Sequence, residues 1–166
     1  MDKSPVKTPV KTPVKTPIKH ILVAVDFSPM ALYTARMAAQ EAQLHGASLT
    51  LLHIFNPQML NLQMPEEILP PTLDLREKLL HLAQAEMEKL RQAVAEGGIT
   101  PRVELEESGE NIGKAVIAFG KAHAVDMLVV GSHGHGAIGR LLLGSVANDI
   151  VHYASCPVLV VKHQED

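Results

Sequence analysis

Apolar positions along the chain fall into two rhythms. Short, nearly unbroken apolar runs stand at 21–25, at 126–130 behind an aspartate, and at 157–161 behind a proline. Runs of that length without polar alternation are the mark of strands buried on both faces of a sheet. A fourth run covers 48–55, and 102–107 alternates charged with apolar residues, as a more exposed strand does.

Between these runs the period lengthens to that of a helix. Ala31, Ala35, Ala38, Ala39 and Ala42 form a narrow stripe of small residues that lets a helix lie close on a sheet. Ser28 followed by Pro29 predicts its N-cap and first turn, and Gly46 its end. A long amphipathic helix is expected over 73–96, carrying Leu79, Leu80, Ala83, Met87, Leu90 and Val94 and closed by Gly97 and Gly98. Asn111 is the expected cap of a third helix, which bears Ile112, Ala115, Val116 and Phe119, and a last helix runs over 145–153. Between the second strand and the long helix, Pro57, Pro65, Pro70 and Pro71 predict an irregular loop.

Strands alternating with helices predict an α/β fold. Right-handed crossovers make the sheet parallel and five-stranded, with helices on both faces in the Rossmann-like manner, and the expected strand order is 3-2-1-4-5. In that order the winding reverses between the first and fourth strands and opens a crevice at their carboxyl ends, where such sheets hold ligands. Asp26 ends the first of these strands and Gly131 the fourth.

Residues 5–19 break both rhythms. The unit Pro-Val-Lys-Thr occurs three times and begins again as Pro17-Ile18-Lys19, and proline at every fourth position forbids a helix. The domain division expected is therefore an arm at 1–19, partly polyproline-like, followed by one domain at 20–163. Five lysines against Asp2 give the arm +4, so the remainder carries −7 of the net −3. The arm reads either as a solvated tail or as an electrostatic tether to an acidic surface. A body so acidic is a poor partner for nucleic acid. With 46% hydrophobic and 20% charged residues in 166, no run long enough for a membrane span, and Cys156 as the single cysteine, the expected setting is the cytoplasm.

The candidate chemistry lies at 131–145, which holds five of the eleven glycines. Glycine lets backbone amides approach and face a ligand, and the helix that starts near Ser145 adds unpaired N–H groups and the positive end of its dipole. Together they form an anion cradle that needs no lysine, although glycines can also serve only a tortuous turn. Gly134-x-Gly136-x-x-Gly139 matches a dinucleotide fingerprint in letters but follows the fourth strand, and no acidic residue ends the next. Gly134-x4-Gly139-Arg140-Leu141 lacks the lysine and hydroxyl of a Walker loop. His133 and His135 stand two apart without a third ligand nearby, so no metal is expected, and Cys156 reads as a small packing residue.

A third spacing, Gly131-x2-Gly134-x9-Gly144-Ser145, resembles the nucleotide-binding signature of the universal stress protein family. Residues 25–28 (Val-Asp-Phe-Ser), 52–54 (Leu-His-Ile) and 156–161 (Cys-Pro-Val-Leu-Val-Val) resemble the same family in the same order, so the likeness covers about 18–163. It implies an adenine nucleotide, ATP, with or without Mg²⁺. It also implies roles: Asp26 on the ribose hydroxyls, the Ile54 backbone on adenine, and Val130 and Gly131 along the nucleotide. Gly134, Gly144, Ser145 and the Val146 amide would surround the phosphates. Family members often carry valine at the place of Ile54. Asp26 and Ser145 also have plainer readings, as a helix-initiating side chain and an N-cap. The bare edge of the fifth strand, Val158, Leu159, Val160 and Val161, predicts a homodimer, as the resemblance also implies, whereas Glu104, Glu106 and Glu107 guard the third. The reading is a regulatory nucleotide-binding module with slow or no hydrolysis. A hydrolase or nucleotidyl-transfer enzyme, or a scaffold with an empty site, are the alternatives.

Overall fold

The computed structural model describes residues 17–57, 73–133 and 143–162. Outside these lie residues 1–16 of the arm, most of the proline-rich loop, and 134–142 with Gly134, His135, Gly136, Gly139 and Arg140.

Nine elements alternate along the described chain: β1 His20–Ala24, α1 Ala31–His45, β2 Ser48–Phe55, α2 Leu73–Ala95, β3 Arg102–Glu107, α3 Ile112–Ala122, β4 Met127–Gly131, α4 Ser145–Tyr153 and β5 Val158–Val161. The strands form one parallel sheet in the order β3-β2-β1-β4-β5, as the alternation predicted. Both faces of the sheet are covered. On one, Ile21, Val23, Leu49, Leu51 and Val129 pack with the alanine stripe of α1 and with Met87, Leu90 and Val94 of α2. On the other, Leu22, Leu52, Ile54, Leu128 and Val130 pack with Val116, Ile117 and Phe119 of α3 and Ala147 and Ile150 of α4. Because β1, β2 and β4 supply residues to both clusters, they are mostly apolar on both faces, which is why their sequences show little alternation.

Asp126 does not begin β4, as expected, but fastens its entrance. Its carboxylate accepts the Lys19 and His20 N–H groups at 2.8 and 2.9 Å, and its own N–H bonds the His20 carbonyl at 2.9 Å. Ile18 packs on the first core cluster and the Lys19 carbonyl accepts the Ser48 N–H at 2.9 Å, so the fold makes contacts ahead of His20. Asn111 caps α3, its side chain accepting the Lys114 N–H at 3.0 Å. Gly46 ends α1 in the left-handed conformation at φ 62°, a turn that costs glycine little.

Ser28 does not cap α1. The helix begins at Ala31 after Met30, with no side-chain cap, while the Ser28 carbonyl accepts the Ala31 N–H at 2.9 Å. Two residues upstream, Asp26 Oδ1 accepts the Ser28 N–H at 3.0 Å and folds 26–28 into an Asx turn, and the helix starts three residues beyond Ser28.

Candidate functional site

The winding reverses between β1 and β4, and the register of that pair places the site. Ala24 lies opposite Val130 in the last pair of the register, and Asp26 and Ser132 each follow two residues beyond it. Asp26 is exposed at the mouth of the crevice.

Ser132 rivets the other wall. Its N–H donates to the Val161 carbonyl and its own carbonyl accepts the Gly144 N–H, both at 2.8 Å. These two bonds tie the start of α4 to the ends of β4 and β5 across the glycine loop. The serine is buried, and its hydroxyl pairs with His133 Nδ1 at 2.9 Å. The spacing motif passes over Ser132, and nothing about an isolated serine between glycine and histidine would have revealed this function.

Gly144, not Ser145, is the N-cap of α4, with extended backbone at φ −62° and ψ 159° and no side-chain bond to the first turn. The N–H groups of Ser145 and Val146 point out of the helix end with no carbonyl of the helix to receive them. Ser145 is exposed there, and Val146 is half-buried against the second core cluster. Positive partial charge thus faces the crevice mouth without a cationic side chain.

Gly131 sits in close packing. A Cβ there would come within 3.3 Å of the buried Thr34 hydroxyl of α1 and 3.4 Å of the His133 carbonyl. Val130 and Ile54 are buried, so each has only main chain to offer a ligand. The Leu52 carbonyl accepts the Val25 N–H at 2.9 Å, and alternation along β2 directs the Ile54 carbonyl to the same side, beyond the end of β1. Asp26, Ile54, Val130, Gly131, Gly144, Ser145 and Val146 thus converge at one end of the sheet, while Gly134 lies outside the described residues.

Two histidines complete the surroundings. Burial pushes the His53 pKa below its ordinary value, opposed by its hydrogen bond to the Val25 carbonyl and by the charge of Asp26. His133 is half-buried, and among the described residues its enclosed Nε2 atom has no hydrogen-bond partner. A buried polar atom left so is costly, and water or a ligand at that point would satisfy it. Among the described residues, no three His, Cys, Asp or Glu side chains stand close enough to hold a metal ion, and no helix is long and apolar enough to cross a membrane. A hollow of about 240 Å³ lined by Ile117, Lys121, Leu128 and Cys156 lies at the opposite end of the sheet, away from these groups. Burial pushes the Cys156 thiol up, as suits a packing residue.

The universal stress protein family model matches residues 17–162, nearly the whole described chain. The chain belongs to the universal stress protein family. A universal stress protein of Thermus aquaticus is 34% identical over 145 residues, covering 87% of this chain and 98% of its own. One from Mycolicibacterium smegmatis is 34% identical over 147 residues, or 88% of this chain; here the chain spans only about half (48%) of the relative. Among solved structures, a universal stress protein of Archaeoglobus fulgidus in complex with dAMP superposes with a TM-score of 0.64 at 21% identity, covering 89% of this chain and 100% of its own. A universal stress protein in complex with cAMP does so at 0.63 and 20%, covering 89% and 98%. At those identities the likeness is one of fold.

Proposed function

We propose that this universal stress protein binds an adenine nucleotide, ATP, in the crevice between β1 and β4, and acts as a regulatory module with slow or no hydrolysis. One observation carries the reading: Asp26 follows the end of β1 and Ser132 the end of its neighbour β4, and the Ser132 carbonyl holds the uncapped start of α4. A carboxylate suits ribose hydroxyls and an uncapped helix end suits phosphate, and here they stand on facing walls. The Ile54 carbonyl and the main chain of Val130 and Gly131 lie between, at the place for adenine and sugar. Gly134, Gly144, Ser145 and the Val146 amide would hold the phosphates, with His133 Nε2 a further donor. Two family members in complex with adenine nucleotides support the ligand class.

Mg²⁺, if it accompanies ATP, would be held mainly by phosphate and water, since Asp26 is the one carboxylate among the proposed contacts. Nothing among the groups described activates a water for attack, and this favours a binding module over a hydrolase. The module would act in the cytoplasm as a homodimer, with the arm preceding a domain that takes in Ile18 and Lys19. Val158, Leu159 and Val160 form the half-buried outer edge of the sheet with Val161 at its end, open to pair antiparallel with a second copy.

Purified protein examined by mass spectrometry for co-purifying nucleotide, and then for phosphate release with Mg²⁺, tests the reading. Bound ATP with negligible release is expected. Rapid turnover would favour a hydrolase, and an absence of both nucleotide and affinity would favour a scaffold.

A further inference from the structure

Phe27 follows Asp26 with φ 59°, a left-handed backbone that a bulky side chain seldom adopts. Two contacts oppose that strain, and one residue makes both. His53, on β2, places Nδ1 2.8 Å from the Val25 carbonyl, immediately before Asp26. Its ring lies 4.2 Å from the Phe27 ring, immediately after Asp26, with 30° between the planes. The Val25 carbonyl can only accept, so Nδ1 carries the proton and donates. Asp26 in turn closes the turn by accepting the Ser28 N–H at 3.0 Å.

We infer that His53 is a positioning residue for nucleotide binding: it grips the chain on either side of Asp26 and so holds the carboxylate at the crevice, without touching the nucleotide itself. The inference rests on the proposed role of Asp26 toward the ribose. Without the imidazole, Phe27 keeps its packing on the first core cluster but loses its ring partner, and the Val25 carbonyl loses its donor, so the turn relaxes and Asp26 shifts at the crevice. The core loses little, because His53 is half-buried at the end of its strand.

Calorimetric titration of the full chain with ATP and with 2′,3′-dideoxy-ATP separates positioning from general support. The wild-type chain should prefer ATP by about ten-fold, the worth of hydrogen bonds to a charged group. His53→Ala should lose about ten-fold in ATP affinity with little change toward the dideoxy analogue, erasing the preference. His53→Phe, which keeps a ring against Phe27 but no donor, should do so in part, and it supplies the comparison should His53→Ala fail to fold. In an Asp26→Asn background the same changes should have no further effect on ATP, since coupled residues are not additive. Equal weakening of both nucleotides, an intact preference, or additivity with Asp26→Asn would overturn the inference while leaving the ribose reading in place. A wild-type chain that binds neither nucleotide, or an Asp26→Asn variant that keeps the preference, would overturn that reading and the inference with it.

Discussion

At the scale of single residues, the enclosed Nε2 of His133 distinguishes ligand contact from loop support. Asparagine places an amide where Nδ1 stands and glutamine places one where Nε2 stands, so the two substitutions divide the ring's functions. His133→Asn should keep the bond to the Ser132 hydroxyl yet weaken ATP about ten-fold, leaving adenosine unchanged, and His133→Gln should recover most of that loss. Equal effects on ATP and adenosine in calorimetry would mean that His133 serves only the loop. His53 has a separate consequence for stability. Its folded-state pKa lies below the unfolded value of 6.5, so the unfolded chain binds the proton more readily. Its contribution is full above pH 6.5 and declines as the pH falls through the interval down to the folded pKa. Denaturant midpoints should therefore drop on acidification in the wild type more steeply than in His53→Phe. The positions of Asp26 after β1 and of Gly144 and Ser145 at the start of α4 could be read from the sequence, because a carboxylate after a buried run and a glycine before a helix carry local signatures. Ser132, His53 and Phe27 could not, because what they do depends on partners up to 29 residues away that only the folded sheet brings together.

At the scale of elements, the sequence was informative wherever burial imposed a pattern. The continuous apolar runs located β1, β4 and β5 to within one residue at each end, and the alanine stripe located the buried face of α1. The start of α1 was misread because an Asx turn closed by Asp26 and the left-handed Phe27 occupy 26–28, and the helix begins only at Ala31. One close approach, at α3 and α4, has no pattern to announce it. A Cβ at Gly113 would lie 2.6 Å from the Asp149 Cβ, so these helices meet through a position that tolerates only glycine. Gly113→Ala should destabilise the fold by about 1–3 kcal/mol, read as a lower denaturant midpoint with unchanged slope. A neutral outcome would show that the helices separate freely. Since α4 also presents the N–H groups of Ser145 and Val146, the same substitution should weaken nucleotide binding.

At the scale of the whole molecule, the two edges of the sheet differ. β3 carries Glu104, Glu106 and Glu107, the last paired with Arg76 of α2, and like charges keep such an edge from pairing with its own copy. β5 offers valine and leucine, and that asymmetry directs self-association to one side. Val158→Lys with Val160→Lys should give monomers in sedimentation, whereas dimers that persist would place the interface elsewhere. Strand order and crevice followed from alternation of elements and the handedness of crossovers, which need no long-range detail. The identity of the ligand did not, since geometry of this kind suits several adenine nucleotides.

The most direct test is calorimetric titration of ATP into the wild-type chain and into Asp26→Asn, which retains an oxygen for the Ser28 N–H but removes the charge. Saturable heat at one site per chain, with at least about ten-fold weaker binding in the variant, is the predicted result. No heat with any purine nucleotide, or equal affinity in the two proteins, would contradict a nucleotide site between β1 and β4.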